Sequence, residues 1–214
     1  KTTSQAQGKY KKQTGGHGQF GDCWLEVAPL ARGEGFVFES RVVGGAIPRN
    51  FIPAIEKGVM EAMQEGGLSG FPVVDVRVTV YDGSFHSVDS SEMSFKIAGS
   101  MAFKQAMEAG HPVLLEPLML VEIEAPTDTV GAVMGDINAR RGRIVSVQAN
   151  DHAEQIKALM PLAELLKYAP ALNAMTGGRG SYAMEFARYE ELPRELAGKI
   201  IEEHKVERHA VAAH

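Results

Sequence analysis

VDVRVTVYDGSFHSVDSSE (74–92) decides the fold of the first half of the chain. Val74, Val76, Val78 and Val80 alternate with Asp75, Arg77, Thr79 and Tyr81, the period-two pattern of a strand with one buried face. Asp82-Gly83 then opens a turn, and the spacing predicts a strand, a loop over 82–91 and a helix. Asp89 or Ser90 is expected to cap that helix, with Glu92, three residues beyond Asp89, completing a capping box. Phe85 and His86 fall at the tip of the connection. A core does not normally hold an aromatic ring and an imidazole there, whereas loops on rigid flanking elements are where binding residues gather.

Working outward, the 214 residues suffice for one large or two modest domains, and 44% hydrophobic content supports real cores. Net charge is −5 and neither half of the chain is net basic, which argues against a protein that coats nucleic acid through bulk charge. Locally the balance differs: residues 1–21 carry Lys1, Lys9, Lys11 and Lys12 and no carboxylate. Cys23 alternates with Leu25 and Val27 on a strand and reads as a buried apolar residue. A lone cysteine forms no disulfide framework, so a reducing, cytoplasmic setting is expected. No apolar run reaches membrane-spanning length and no signal peptide is visible, so no membrane partner is expected. The chain starts at Lys1, without an initiator Met and within a polar stretch, so a piece of something longer is expected.

Residues 1–18 are polar and end in the glycine-rich turn QTGGHGQ (13–19). A strand follows through Cys23, Leu25 and Val27, then ARGEG (31–35) leads into a second near Phe36–Val43. GGAIPRN (44–50) precedes a helix with the stripe Ile52, Ile55, Val59, Ala62 and Met63, stopped by Gly66-Gly67. After the 82–91 loop, the second helix carries Ile97, Ala98, Met101, Ala102 and Ala106 and closes at Gly110. HPVLLEP (111–117) reads as a short strand and a boundary. Beyond it, Met119, Val121 and Ile123 mark a strand and Val130, Val133, Met134 and Ile137 a helix. Strands are expected near Arg143–Ala149 and Ala153–Leu159, then a helix from Pro161 with Leu162, Leu165, Leu166 and Ala169, kinked or ended by Pro170. A strand over Ser181–Arg188, a terminal helix after Pro193 and a frayed HAVAAH (209–214) complete the chain. The order β-α-β-β-α-β is the ferredoxin-like split unit.

Chemistry-bearing motifs are few. No Gly-x-x-x-x-Gly-Lys-Ser/Thr phosphate loop occurs, so this chain is not expected to hydrolyse a nucleoside triphosphate by that route. GGHGQFG (15–21) runs into a strand, so it lacks the helix-terminal N–H groups of a phosphate cradle. His17, His86, His111 and His152 are scattered without ligand spacing, and no metal site is expected. His86, Asp89 and the neighbouring serines sit on one turn with no oxyanion hole in view, so no catalytic residue is assigned, and a hydrolase using His86 is the remotest reading. His86, the 13–19 turn and the lysines before it are compact donors and acceptors suited to RNA phosphates and 2′-hydroxyls. Ordinary polar turns explain them equally. In NARRGR (138–143), Arg140, Arg141 and Arg143 answer either to a helix dipole or to a phosphate.

Longer stretches carry more. GKYKKQTGGHGQFGD (8–22), VVGGAIPRNFIPAIEKGV (42–59), the run from Gly70 to Ala106, PVLLEPLMLVEI (112–123), VGAVMGDINARRGRI (130–144) and the run from Ala158 to Pro193 together resemble, in order, the C-terminal part of bacterial elongation factor G. That family is the translocation GTPase of the ribosome, and a close paralogue fits as well. The resemblance implies an α+β fold of two domains: 1–117 a ribosomal-protein-like tip or lever domain matching the factor's fourth, and 118–194 a ferredoxin-like domain matching its fifth. Residues 195–214 would be a C-terminal helix and tail. It implies that Gln13, Thr14, Gly15, Gly16, His17 and Gly18, with Asp82, Gly83, Ser84, Phe85, His86, Ser87, Asp89 and Ser91, form a tip entering the small-subunit decoding centre. Gln13 and His86 match positions that approach the codon–anticodon helix. Lys9, Lys11, Lys12, Arg140, Arg141 and Arg143 become ribosomal-RNA contacts, the last three near the factor-binding centre of the large subunit. The implied partners are the ribosome, transfer RNA and messenger RNA, for a cytoplasmic monomer. This chain itself holds no cofactor, while GTP and Mg belong to a GTPase domain of the longer parent.

Two departures, DCWLEVAPLARGEGF (22–36) and His17 where arginine is frequent, point toward a paralogue. The well-kept tip sequences still favour the distal half of a translocase; the alternatives are a ribosome-recycling or ribosome-protection paralogue and a stand-alone RNA- or ribosome-binding module without a GTPase.

Overall fold

A computed structural model describes residues 1–13, 16–67, 70–150 and 153–212, with side chains through His204. The chain divides into two units, Lys1–Leu114 with Pro193–His214, and Leu115–Leu192. The boundary expected after residue 117 falls inside a strand. HPVLLEP does not hold a separate short strand, because its last three residues open a single strand that runs to Pro126 through a register shift between Leu118 and Met119.

The first unit opens with β1 (Ser4–Lys12), β2 (Gln19–Pro29), β3 (Phe36–Ser40), α1 (Ile52–Glu65), β4 (Val76–Ser84) and α2 (Glu92–Ala109). Its sheet runs β1-β2-β4-β3, antiparallel except for the β3–β4 pair. The parallel pair follows from the α1 crossover between them. The first residues are tied down, since Thr2 N–H donates to Gly110 O at 3.1 Å and Ser4 Oγ to Ala106 O at 2.6 Å.

The valine strand buries Val76, Val78 and Val80, but Val74 lies ahead of it and is exposed. Asp75 breaks the alternation there, with φ +57° and its carboxylate accepting from the Gly33 and Gly35 N–H groups. At the other end the strand runs past Asp82-Gly83 to Ser84, because Gly83 pairs with Cys23 on β2. The loop is therefore shorter than expected, 85–91. The helix cap also shifts. Ser91 is the N-cap, its Oγ accepting from Ser94 N–H at 3.1 Å, and Glu92 starts the helix instead of closing a capping box.

α2 buries Phe95, Ala98, Gly99, Ala102, Phe103 and Ala106, leaving Ile97 and Met101 on its flanks. The face turns because α2 lies directly on β1 and β2: a Cβ on Gly8 or Gly21 would collide with the carbonyls of Ala98 and Ser94. With Cys23, Leu25, Ile55, Val59 and Phe51 stacked on Phe95 at 4.8 Å, this face forms the first core.

The second unit follows the expected split unit: β5 (Leu115–Pro126), α3 (Val130–Ala139), β6 (Arg143–Ala149), β7 (Ala153–Pro161), α4 (Leu162–Leu165), α5 (Tyr168–Thr176) and β8 (Ser181–Glu191). Its strand order β6-β7-β5-β8 is that of a ferredoxin-like sheet. Val121, Ile123, Ile156, Ala158 and Met160 face the helices, which return Val133, Ile137, Leu165, Tyr168 and Leu172. Pro170 neither kinks nor ends the helix begun at Pro161. It sits in the first turn of α5, where its missing N–H costs nothing, and the break falls earlier, at Leu166-Lys167.

The last helix, α6 (Arg194–Ala212), belongs to the first unit and stacks His204 on Phe71 at 4.4 Å. It runs through most of the segment expected to fray. Among the described residues no helix is long and apolar enough to cross a membrane.

Candidate functional site

One end of the first sheet collects the chemistry. Lys12 pairs with Gln19 at the end of the β1–β2 ladder, and Asp22 pairs with Ser84, so β1, β2 and β4 bring Gln13, Gly18 and the 85–91 loop to one end of the sheet. Asp22 braces their base: its buried carboxylate accepts from Gln7 Nε2 at 2.8 Å and Ser84 Oγ at 2.7 Å, joining three strands. Ser84 is thus a strand residue with its hydroxyl on Asp22, and Ser91 a helix cap; both are exposed.

Above that base, Asp89 and Ser90 fasten one loop to the other. Gly18 N–H donates to Asp89 Oδ1 at 3.0 Å and Phe20 N–H to Asp89 O at 2.8 Å. Ser90 Oγ donates to Phe20 O and accepts from His86 N–H, both at 2.9 Å. These side chains are committed between loops, which is why neither caps α2. A Cβ on Gly18 would press against the Asp89 carboxylate.

His86 sits at the centre of the 85–91 loop. Its Nδ1 accepts from Val88 N–H at 3.3 Å and Asp89 N–H at 3.2 Å. A nitrogen that accepts carries no proton, so these two contacts leave Nε2 as the ring's donor. Asp89 Oδ2, 3.5 Å from Nδ1, would form an ion pair only with a protonated ring. The His86 side chain is 56% exposed, and Phe85 and Val88 beside it are exposed apolar groups.

On the hairpin, Gln13, Gly16 and His17 are exposed; Thr14 and Gly15 lie outside the described residues. Lys9 Nζ sits 5.9 Å above the Phe20 ring, and Lys11 and Lys12 are exposed on the same edge strand. Asp82 turns its carboxylate to the Gly83 N–H, and Ser87 is exposed between His86 and Val88.

A third loop, 41–48, reaches this end and was not read from the sequence as part of the site. Because β3 is parallel to β4, the chain leaves β3 in the direction of the tip, with Arg41 N–H still bonded to Val80 O at 2.8 Å. Ile47 is buried against Gly83, and Val43 at the crest is 80% exposed. The signal lay in the β3-α1-β4 order, which forces both strands to point the same way.

The arginines of the second unit are disposed otherwise. Arg140 Nε meets Asp136 at 2.7 Å, its Nη1 donates to Glu164 O, and its guanidinium lies 5.4 Å from the Tyr168 ring centre. Arg141, at φ +58°, makes a two-pronged pair with Glu116 at 2.7 and 2.9 Å and reaches Glu164 at 3.1 Å. These carboxylates, Glu116 first, push its pKa further up. Arg143 holds Glu190 at 2.6 and 2.8 Å. Each arginine is already answered by a carboxylate.

Burial, helped by Asp22, pushes the Cys23 thiol up to about 12, which removes it as a nucleophile. Among the described residues no three His, Cys, Asp or Glu side chains converge as metal ligands.

Comparison with known proteins divides the chain close to the start of the second unit, while its second match runs on into α6. Residues 1–111 match the family model described as elongation factor G, domain IV, and residues 113–200 the one described as elongation factor G C-terminus. A crystal structure of a protein from Thermus thermophilus is similar over 95% of this chain, at 48% sequence identity and a TM-score of 0.87. The chain spans 30% of the length of that protein.

Proposed function

The chain belongs to the elongation factor G family, and from that premise we propose that it is the distal part of a ribosomal translocase. Its domain IV tip would enter the small-subunit decoding centre and bias movement of transfer RNA and messenger RNA. GTP hydrolysis, with GTP and Mg, would take place in another part of the same protein, since this chain carries no phosphate loop and domains IV and V hold no GTPase site. The ferredoxin-like unit would face large-subunit ribosomal RNA near the factor-binding centre, in a cytoplasmic monomer.

The observation that carries this reading is the single braced tip. Two loops far apart in sequence are fastened through Asp89 and Ser90, while His86, Phe85 and Val88 stay open to a partner. A tip of that kind acts mechanically. It lowers the free energy of the moved state through contacts the unmoved state lacks, which shifts a population without covalent chemistry.

The test uses the full-length protein with its ribosomes in a single-turnover translocation assay. His86→Ala should slow translocation about tenfold, the scale of one lost hydrogen bond to a charged or buried partner, while ribosome-stimulated GTP hydrolysis stays near wild type. An unchanged translocation rate would overturn the assignment of the tip. A wild-type factor that splits ribosomes but does not translocate would transfer the chain to a recycling paralogue.

A further inference from the structure

The loop that carries His86 contains more fastening than a solvent-exposed turn of seven residues needs. We infer that Asp89 is a positioning residue that holds His86 in one tautomer, its Nε2–H kept for an acceptor oxygen of an RNA sugar–phosphate backbone. The inference rests on the ribosomal reading for its ligand, but the geometry behind it lies wholly within this chain.

Three observations converge. First, the Asp89 carboxylate and carbonyl take the N–H groups of Gly18 and Phe20, so the hairpin fixes where the Asp89 backbone lies. Second, that placement aims the Val88 and Asp89 N–H groups at His86 Nδ1, at 3.3 and 3.2 Å. Third, Ser90 Oγ bonds both the His86 N–H and Phe20 O, fixing the backbone from which the imidazole projects. With Nδ1 filled from within, the ring has one free polar function, a donor.

A single donor reads little sequence, because base identity is told by paired donors and acceptors on base edges. Phosphate and ribose oxygens occur at every nucleotide and position a protein without specifying sequence. A tip built this way suits an RNA whose sequence changes at every step.

The experiment has two arms. In the first, the 15N-labelled chain is compared by NMR with its Asp89→Ala and Asp89→Asn variants. The wild type should show one His86 tautomer, protonated at Nε2. Asp89→Ala should mix the tautomers and speed amide exchange at Gly18 and Val88 about tenfold, as expected for a lost hydrogen bond. Asp89→Asn keeps an acceptor oxygen for Gly18 and should retain most of the wild-type signature. Protection at Val78 and Val80, in the core strand, reports that the domain stays folded. A His86 tautomer and Val88 exchange rate unmoved by Asp89→Ala would overturn the inference.

In the second arm, translocation by the full-length protein is measured for His86→Ala, Asp89→Ala, the double variant and His86→Gln. Residues acting as one unit are non-additive, so the double variant should be no slower than His86→Ala alone. His86→Gln carries an amide N–H near the Nε2 position and should stay within about threefold of wild type, a fraction of one hydrogen bond. Multiplying effects, or a His86→Gln as slow as His86→Ala, would overturn it. If the NMR arm holds and none of the variants slows translocation, the ribosomal reading fails while the fastening of His86 stands.

Discussion

The tip of the first unit and the arginine cluster of the second handle polar groups in opposite ways. At the tip, Asp89 and Ser90 are consumed by the neighbouring loop, and the groups left exposed on the 85–91 loop include the His86 imidazole, flanked by Phe85 and Val88. Around Arg140, Arg141 and Arg143, the strongest donors themselves are consumed, by Asp136, Glu116, Glu164 and Glu190. The sequence left these arginines open between a helix dipole and a phosphate. Their partners weigh against the phosphate, since an arginine already paired must give up one anion to gain another.

The largest effect separating the two regions should come from Arg141→Ala. Its side chain is 30% exposed and that of Glu116 13%, so the variant strands a largely buried carboxylate beside Glu164. The second unit should lose about 2–3 kcal/mol, somewhat below the cost of breaking a fully buried pair, measured by denaturant unfolding. If Arg141 were instead held ready for RNA, stability would hardly change and ribosome affinity would fall.

A smaller effect is expected two residues further on. Arg143 and then Arg188 hold the Glu190 carboxyl below its ordinary 4.5. A depressed folded value means that the pair's stabilisation is present above the ordinary carboxylate range and lost as pH falls through the lowered one. Arg143→Ala should therefore raise the Glu190 titration midpoint toward 4.5, read by NMR. Because Arg143 is 58% exposed, stability should change by no more than about 0.5 kcal/mol. A midpoint that stays low would mean that Arg188 alone holds Glu190 and that Arg143 is free for another anion.

The same partner accounting explains what the sequence disclosed. The split order of the second unit was legible because Val121, Ile123, Ile156 and Ala158 alternate and Val130, Val133 and Ile137 repeat at helical spacing. Pro170 misled, because a proline signals both where a helix cannot continue and where one begins. The Asp89 and Ser90 caps misled for a different reason. Residue type marks both as good caps, but pairing across 70 residues of chain gave them other work, and Ser91 took the role. His86 was visible as an odd residue for a turn, whereas its tautomer depends on the Val88 and Asp89 backbone and on a hairpin far away in sequence. Val43 went unread because its loop joins the tip only through strand direction.

The most direct test of the tip as the RNA-facing end is directed hydroxyl-radical probing. Cys23 is fully buried and its thiol is pushed up to about 12, so a thiol-reactive iron chelate should label Ser87→Cys in the full-length protein without touching it. Bound to ribosomes, that probe should cut small-subunit RNA around the decoding centre. A probe at Ser87→Cys that cuts only large-subunit RNA, or leaves ribosomal RNA intact while the factor is bound, would contradict the account.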